Sequence, residues 1–227
     1  MQRADVIVVG GGLAGLSCAF ELASRGRVTG VEVGPERIVA DHVVLATSLA
    51  PAQELLRPEL GTHPWFQPVL RLPSMPSVTI QMELDAPSMP IGRTTFGPGT
   101  VLASFAEQSR STFRQCRGRL SVILTPPEPF LGMEPPEILE ITCRDAERLG
   151  VRVRGRLLDY RVVKLPADFY ELSPGTDALR PPQATPVPGL TLAGDYTRQV
   201  YLATMEGAVV SGKIAARAVQ AARRRGG

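Results

Sequence analysis

The sequence predicts an α/β fold in which the two ends of the chain form a three-layer domain and the middle forms a β-rich lobe. A buried strand followed by glycines opens the chain, a strand, a loop and an Ala-rich helix close it, and strands separated by prolines fill the middle. We expect residues 1–56 and 185–227 to form the discontinuous domain and residues 57–184 to form the lobe. A chain of 227 residues can bury one good core and a small second unit.

The first element is a short apolar strand that leads into a glycine-rich turn. Residues 6–9 are Val-Ile-Val-Val, a run typical of a strand buried on both faces. The turn has the pattern Gly-x-Gly-x-x-Gly, formed by Gly10, Gly12, Leu13, Ala14 and Gly15. A helix is expected to follow as far as about Arg25. The pattern favours a Rossmann-like unit that approaches a pyrophosphate, and a glycine-rich turn without a ligand is the alternative.

The last fifth of the chain joins an apolar strand, a polar loop and a helix. The strand at residues 190–193 runs into Gly194 and Asp195. Gly194 lets the backbone approach a flat or charged group, and Asp195 supplies an acceptor at the end of the strand. A helix is predicted from about residue 204 to residue 223, and its free N–H groups and positive dipole end favour developing negative charge. The residues at the start of this helix are Met205, Glu206, Gly207 and Ala208.

The stretch from Leu192 to Ala208, Leu-Ala-Gly-Asp-Tyr-Thr-Arg-Gln-Val-Tyr-Leu-Ala-Thr-Met-Glu-Gly-Ala, resembles the closing motif of the two-glycine FAD oxidoreductases. It looks most like the plant- and cyanobacterial-type phytoene desaturases, with zeta-carotene desaturases and flavin amine oxidases further off. The resemblance implies an FAD-binding domain in which the strand-Gly-Asp contacts the ribityl–pyrophosphate region and the helix start stabilises the reduced flavin. The FAD-contacting residues that it implies are Gly10, Gly12, Leu13, Ala14, Gly15, Thr47, Gly194, Asp195, Tyr201, Met205, Glu206, Gly207 and Ala208.

The same resemblance implies an enzyme, an FAD-dependent oxidoreductase that desaturates an isoprenoid or carotenoid precursor by hydride transfer to the flavin. The substrate would be a small apolar isoprenoid, and a quinone or oxygen would accept the electrons. An amine oxidase-like flavoenzyme with a small polar substrate is one alternative, and a shortened non-catalytic paralogue is another. Lys164 and Tyr170 match a Val-Val-Lys-x-Pro-x-x-x-Tyr stretch beside the cavity of relatives, although a surface lysine is the alternative for Lys164.

The segment after the glycine motif departs from the family pattern. From Arg27 onward it resembles a much later part of the family, a hairpin over residues 28–39 and then a strand at 43–46 that ends at Thr47. The resemblance therefore covers the first two dozen residues of the family and about its C-terminal half. The second glycine motif and the usual adenine-contacting strand are missing, which keeps the non-catalytic alternative open.

Glu32 is a candidate for the acid that binds the adenosine ribose. It lies 22 positions after Gly10, close to the spacing of about 20 residues that is expected of such an acid. Residues 27–33 could then serve as the second Rossmann strand. The alternative is that Glu32 is an exposed residue on a hairpin.

Composition and residue counts exclude several other classes of protein. Aromatic residues make up only 5% of the chain and give no stacking platform for nucleic acid. With His42 and His63 as its two histidines, the chain has almost no material for a metal site or a Ser-His-Asp site. We therefore expect neither a metal nor a nucleic-acid partner, and any chemistry should belong to the flavin.

The cysteines and the apolar runs bear on location. Three widely spaced cysteines fit reduced thiols in the cytoplasm, and no signal peptide or membrane span is apparent. The net charge of +3 comes largely from Arg217 and the arginines at 223–225. We expect a solvated basic helix end, with peripheral contact to an anionic membrane surface as the alternative.

Overall fold

The computed structural model describes residues 2–10, 18–23 and 27–226. Its strands are β1 (Gln2–Val9), β2 (Cys18–Ala23), β3 (Arg27–Val33), β4 (Glu36–Leu45), β5 (Ser74–Leu84), β6 (Thr94–Phe96), β7 (Leu102–Glu107), β8 (Gly118–Leu124), β9 (Leu157–Tyr170) and β10 (Leu190–Leu192). Its α-helices are α1 (Leu49–Leu60), α2 (Gln67–Arg71), α3 (Glu128–Leu131), α4 (Pro135–Arg148) and α5 (Met205–Gly226). Short 3-10 turns lie at Pro64–Phe66 and Thr176–Leu179.

The chain divides into two compact units. Unit 1 comprises Met1–Met75 and Asp168–Gly227, and unit 2 comprises Pro76–Ala167. Residues 57–75 and 168–184, which the predicted boundaries place in the lobe, thus lie in unit 1. The physical reason is burial, because Phe66, Leu72 and Tyr170 belong to the hydrophobic core of unit 1.

Unit 1 is built on parallel strands with helices on both faces. Strand β4 pairs in parallel with β1 and with β10, and its antiparallel partner β3 pairs in turn with β2. Residues 43 and 45 of β4 face a core shared with α1, whereas Val44 packs against Ala215 and Val219 of α5. This alternation follows from the two-residue period of a strand. The arrangement of helix, sheet and helix confirms the predicted three-layer α/β fold.

The helix predicted after the glycine motif is wrong for residues 18–23. These residues form β2, which is antiparallel to β3 with an irregularity between Phe20 and Leu22. An unpaired edge of β3 would leave a row of backbone donors and acceptors, and β2 pairs with them. The hairpin predicted over residues 28–39 is present, with Gly34 at its turn in the left-handed region (φ +57°).

Unit 2 is a β-rich unit with one long helix, as the sequence predicts. Its sheet has the order β6-β7-β8-β5-β9, and β5, β7 and β8 are joined by antiparallel pairing. Helix α4 buries Ile138, Cys143 and Ala146 against the core of this sheet. A capping box of Glu134 and Glu137 begins the helix, and Gly150 follows its end in the left-handed region.

Glu107 is a buried carboxylate whose oxygens are fully engaged within unit 2. One oxygen accepts hydrogen bonds from the N–H and hydroxyl of Ser109 (3.1 and 2.6 Å) and from the N–H of Arg119 (3.0 Å). The other accepts from the N–H and hydroxyl of Ser88 (2.7 and 2.9 Å). Burial alone would raise the pKa of Glu107, but the hydrogen bonds outweigh it, so the pKa lies below its ordinary value of 4.5. The ionised carboxylate therefore ties the loops that carry Ser88 and Ser109 to strand β8.

Replacement of Glu107 by Gln is expected to destabilise the protein by about 2 kcal/mol at neutral pH, because an amide accepts fewer of these bonds and turns N–H groups toward donors. Since the folded-state pKa lies below 4.5, the stabilisation is present above that value and is lost as the pH falls through the folded-state pKa. Urea unfolding of Glu107→Gln and wild type across this pH range measures both effects.

The matched control for this experiment is Glu83→Gln, since Glu83 is exposed on β5 in the same unit. We expect the control to change the free energy of unfolding by less than about 0.5 kcal/mol. Equal stability of Glu107→Gln and wild type at neutral pH would show that the buried carboxylate does not hold these loops.

Candidate functional site

The carboxyl ends of three parallel strands bring together Gly10, Thr47 and Gly194. In the ladder, Val9 of β1 and Leu192 of β10 both lie opposite Leu45 of β4, so the three strands end level with one another. Backbone hydrogen bonds continue the pairing past the strands, from Ala46 N to Val9 O (2.6 Å) and from Ala193 N to Leu45 O (2.8 Å). In open parallel sheets, this edge is where ligands bind.

Gly10 and Gly194 are required here because both adopt backbone angles that favour glycine and leave no room for a side chain. Their φ angles are +117° and +146°. A Cβ at Gly10 would lie 2.5 Å from the carbonyl carbon of Ala46, and a Cβ at Gly194 would lie 2.4 Å from the ring of Tyr196. Neighbouring protein atoms thus occupy the space that a side chain would need at either position. The two glycines therefore let the strand ends pack closely.

The hydroxyl of Thr47 is a buried polar group at this edge. Its Oγ1 has no hydrogen-bond partner among the described residues. The position of a Cβ on Gly194 would be 3.3 Å from the carbonyl oxygen of Thr47, and that of a Cβ on Gly10 would be 2.7 Å from its amide nitrogen. A buried hydroxyl without a partner costs free energy, and a ligand oxygen at the strand ends would satisfy it. Thr47 therefore fits the predicted cofactor site.

Thr204 caps the start of α5 and uses two of its N–H groups. The side-chain oxygen of Thr204 accepts from the N–H of Gly207 (3.0 Å), and its carbonyl oxygen accepts from the N–H of Ala208 (3.0 Å). The expectation that the N–H groups of Gly207 and Ala208 are free is therefore wrong. Sequence reasoning missed this cap, although Thr is a favoured residue at such a position. The N–H groups left for a ligand are those of Met205 and Glu206.

A serine in α5 fixes the helix to the end of β10. The N–H of Gly194 donates to Oγ of Ser211 at 2.6 Å, and the hydroxyls of Ser211 and Thr197 lie 3.1 Å apart. Ser211 is completely buried, on the same helix face as Ala215 and Val219. This contact holds the first turns of α5 beside the glycine edge of the sheet. Ser211 is not among the predicted site residues, since only its spacing from the two apolar residues marks it as inward-facing.

The acidic and phenolic groups of the closing motif are buried to different degrees. Asp195 is half-buried, and burial raises the pKa of its carboxyl. The hydroxyls of Tyr170 and Tyr196 are buried without a hydrogen-bond partner among the described residues, and burial likewise raises the pKa of each phenol. The two phenols are therefore neutral hydroxyls, and the charges beside them include those of Asp195 and Arg180.

Lys164, one of the two side chains with a predicted catalytic role, has contacts of a structural kind. Its ammonium group donates to the carbonyl oxygens of Leu131, at 3.2 Å, and of Met133, within unit 2. Tyr170, the other candidate, lies in the core of unit 1. A catalytic role for Lys164 or Tyr170 stays a prediction.

Glu32 lies far from the glycine edge. It is exposed on β3, opposite Arg37 of β4, and the pairing of these strands is antiparallel. At about 3.3 Å per residue, the run of β4 from Arg37 to Ala46 spans about 30 Å. A ribose and the pyrophosphate of the same nucleotide are adjacent groups, so Glu32 cannot bind the one while Gly10 approaches the other. The second-Rossmann-strand interpretation of residues 27–33 is therefore wrong, and the exposed-hairpin alternative describes Glu32.

Other predicted site residues fall outside or at the surface of the described region. Gly12, Leu13, Ala14 and Gly15 lie outside the described residues.

A run of large apolar side chains is exposed at the start of α5, with Val200 88% and Met205 89% accessible. We call this run the exposed apolar segment, and its members are Val200, Tyr201, Leu202, Met205 and Val209.

Within the ranges 2–10, 18–23 and 27–226, no three or more His, Cys, Asp or Glu residues are grouped so as to hold a metal ion. No helix in those ranges is long and apolar enough to cross a membrane.

The chain belongs to the family of flavin containing amine oxidoreductases, whose model matches residues 27–220. This family assignment confirms the predicted membership of the FAD-dependent oxidoreductases. The 15-cis-phytoene desaturase of Synechococcus elongatus is 33% identical over 203 residues, which are 85% of this chain and 43% of that protein. The chloroplastic/chromoplastic enzyme of the same name from Solanum lycopersicum is 30% identical over 192 residues, 80% of this chain and 33% of that protein.

Solved structures confirm the fold. An oxidoreductase from Methanosarcina mazei has a TM-score of 0.68 at 17% identity, covering 89% of this chain and 49% of that one. A double mutant of putrescine oxidase has a TM-score of 0.62 at 15% identity, covering 90% of this chain and 47% of that one. The chain thus spans less than half the length of the relatives that it matches.

Replacement of Thr47 by Val is expected to stabilise the protein without cofactor by about 1 kcal/mol, because it removes a buried hydroxyl that has no partner. The same change should weaken FAD binding about tenfold if the hydroxyl contacts the cofactor, a loss of about 1.4 kcal/mol. Thermal unfolding of the cofactor-free protein and FAD titration followed by flavin fluorescence measure the two effects.

Thr191→Val is the matched control, since the Thr191 hydroxyl lies 2.7 Å from Nε2 of His42 and has a partner to lose. The control should lose stability and keep its FAD affinity. A Thr47→Val protein that binds FAD as wild type does would remove Thr47 from the site.

Proposed function

We propose that the protein is an FAD-dependent oxidoreductase that desaturates an isoprenoid or carotenoid precursor. The observation that carries the proposal is the meeting of Gly10, Thr47 and Gly194 at the ends of three parallel strands, beside the start of α5. The named phytoene desaturases among the relatives support this choice of reaction within the family.

The residues of unit 1 fit the phosphate and flavin portions of FAD. The Thr47 hydroxyl would donate to a cofactor oxygen, and the N–H groups of Met205 and Glu206 would favour negative charge at the helix start. When bound, FAD supplies a two-electron acceptor for a C–H bond of the substrate. The chain's own part is to hold the cofactor and to keep the helix start in place through Ser211 and Gly194.

The exposed apolar segment supports an apolar substrate. Val200, Leu202 and Met205 present side chains without charge next to the residues that would face the flavin. Exposed apolar patches often mark sites that bind apolar ligands. A quinone or oxygen would then return the cofactor to its oxidised form. An amine oxidase-like reaction on a small polar substrate would need polar groups there, and those present include the hydroxyl of Tyr201 and the exposed carboxylate of Glu206, whereas the other four members of the segment are apolar.

The basic residues of α5 are consistent with binding to a lipid surface. Lys213, Arg217 and Arg223 are exposed on the helix that begins in the exposed apolar segment. Cations on a helix with apolar residues at one end favour an anionic membrane surface. We place the protein in the cytoplasm, with peripheral contact to such a surface.

A shortened, non-catalytic paralogue is the second candidate, and the position of Glu32 favours it. Asp195 follows β10, which β4 separates from β1, so it does not stand where a Rossmann unit that begins at β1 and Gly10 has its ribose-binding acid. An FAD site without that contact binds less tightly, or not at all. The two candidates therefore differ in one measurable property, the uptake of FAD.

The visible absorption spectrum of the purified full chain, before and after addition of FAD, separates the two. We expect a structured flavin band and retention of FAD through gel filtration. Asp195→Ala should lower the FAD affinity at least tenfold, because it removes the acceptor at the end of β10. Asp159→Ala, at an exposed position of unit 2, is the control.

A colourless protein that takes up no FAD would overturn the first candidate in favour of the second. If FAD binds, the protein is incubated with an isoprenoid in one assay and with a primary amine in another. Analysis of the products then distinguishes a desaturase from an amine oxidase. Oxidation of the amine alone would overturn the choice of substrate.

A further inference from the structure

One buried cation underlies the loop between β10 and α5. Arg180 is only 4% exposed, and its Nη2 donates to the carbonyl oxygens of Asp195 (3.2 Å) and Thr197 (2.6 Å). The carbonyl oxygens of Gln199 and Tyr201 lie 3.5 and 3.4 Å from the same nitrogen. Alternate residues along the loop thus point their carbonyls at a single guanidinium group.

The contacts of Arg180 favour the loop over any other partner. Within the described part of the chain, Arg180 forms an ion pair with Asp177 (2.8 Å), a side chain that is 88% exposed, so water screens much of that attraction. Its guanidinium also lies over the ring of Tyr170, 5.0 Å from the ring centre. The loop in return holds Arg180, since Nε of Arg198 donates to the carbonyl oxygen of Arg180 at 2.8 Å.

Electrostatics explains why a cation is needed at this point. Carbonyl oxygens carry partial negative charge, and four of them that converge in a buried place repel one another and any anion nearby. The terminal Nη2 of Arg180, with its two N–H groups and its share of the guanidinium charge, faces all four oxygens, while Nη1 binds Asp177 and Nε has no hydrogen-bond partner among the described residues. With Arg180 in place, the loop can follow its path to the start of α5, where the N–H groups of Met205 and Glu206 are left for a ligand.

We propose that Arg180 is a positioning residue of the candidate flavin site, which sets the path of the 195–201 loop and thereby the placement of Asp195 and the start of α5. That the site binds a flavin rests on the proposed function, whereas the role of Arg180 in setting the path of the loop rests on its contacts. The side chain of Arg180 reaches the site through the backbone carbonyls of the 195–201 loop.

The first test is hydrogen exchange of the full chain without FAD. We expect Arg180→Met to speed amide exchange at least tenfold in peptides that cover residues 194–208, with α1 and the sheet of unit 2 unchanged. Arg180→Lys keeps the charge and should give exchange rates between those of wild type and Arg180→Met, because its single nitrogen must serve both the loop carbonyls and Asp177. If Arg180→Met does not fold, Arg180→Lys carries the comparison.

The second test is FAD titration of the same variants, with the absorption spectrum recorded at saturation. We expect Arg180→Met to bind at least tenfold more weakly and to show an altered shape of the flavin band. Arg180→Lys should recover part of both. Asp177→Asn, which removes the exposed ion pair and leaves the carbonyl contacts, should match wild type in exchange, affinity and spectrum.

The outcomes separate this inference from the proposed function. Wild type that takes up no FAD overturns the proposed function, and hydrogen exchange alone then decides whether Arg180 sets the loop. Wild type that binds FAD, together with an Arg180→Met protein of equal loop exchange, affinity and spectrum, overturns the inference and leaves the proposed function standing.

Discussion

The parallel pairing of β4 with both β1 and β10 is the constraint on which the rest of unit 1 depends. It joins the first residues of the chain to the last fifth and places Val9, Leu45 and Leu192 at one level. The alternating side chains of β4 then divide the helices between the two faces of the sheet. Without this pairing, Gly10, Thr47 and Gly194 would have no common edge, and the chain would have no candidate site.

Each unit also contains a buried charged group that binds the backbone of several residues. In unit 2, Glu107 accepts hydrogen bonds from the N–H groups of Ser88, Ser109 and Arg119, and in unit 1, Arg180 donates to carbonyls of the 195–201 loop. The two groups are complementary in chemistry, since an anion organises donors and a cation organises acceptors. Segments without regular secondary structure have backbone groups left over, and one well-placed charge satisfies several of them.

Gly10 and Gly194 could be marked from the sequence because a glycine at the end of a buried strand is a local signal. The resemblance to the family pointed to Thr47, two residues after the end of β4. The contacts of Arg180 and Ser211 were not predictable, because their partners are 15 to 21 and 17 residues away in the chain and the helical spacing of Ser211 shows only that it faces inward. The predicted role of Glu32 was wrong for a similar reason, since residue spacing does not show whether the strand that carries Glu32 is parallel or antiparallel to its neighbour.

The sequence by itself determined the family, the α/β class, most of the strands and the motif that closes the chain, because apolar period, glycine placement and turn residues act over short distances. The tertiary structure decided the features that depend on contacts between distant parts of the chain. It made residues 18–23 a strand on the edge of β3, moved Glu32 away from the glycine edge, used two N–H groups of α5 in a cap, and placed Arg180 beneath the loop. These outcomes depend on which backbone groups remain unpaired after the sheet has formed, and only the folded chain determines that.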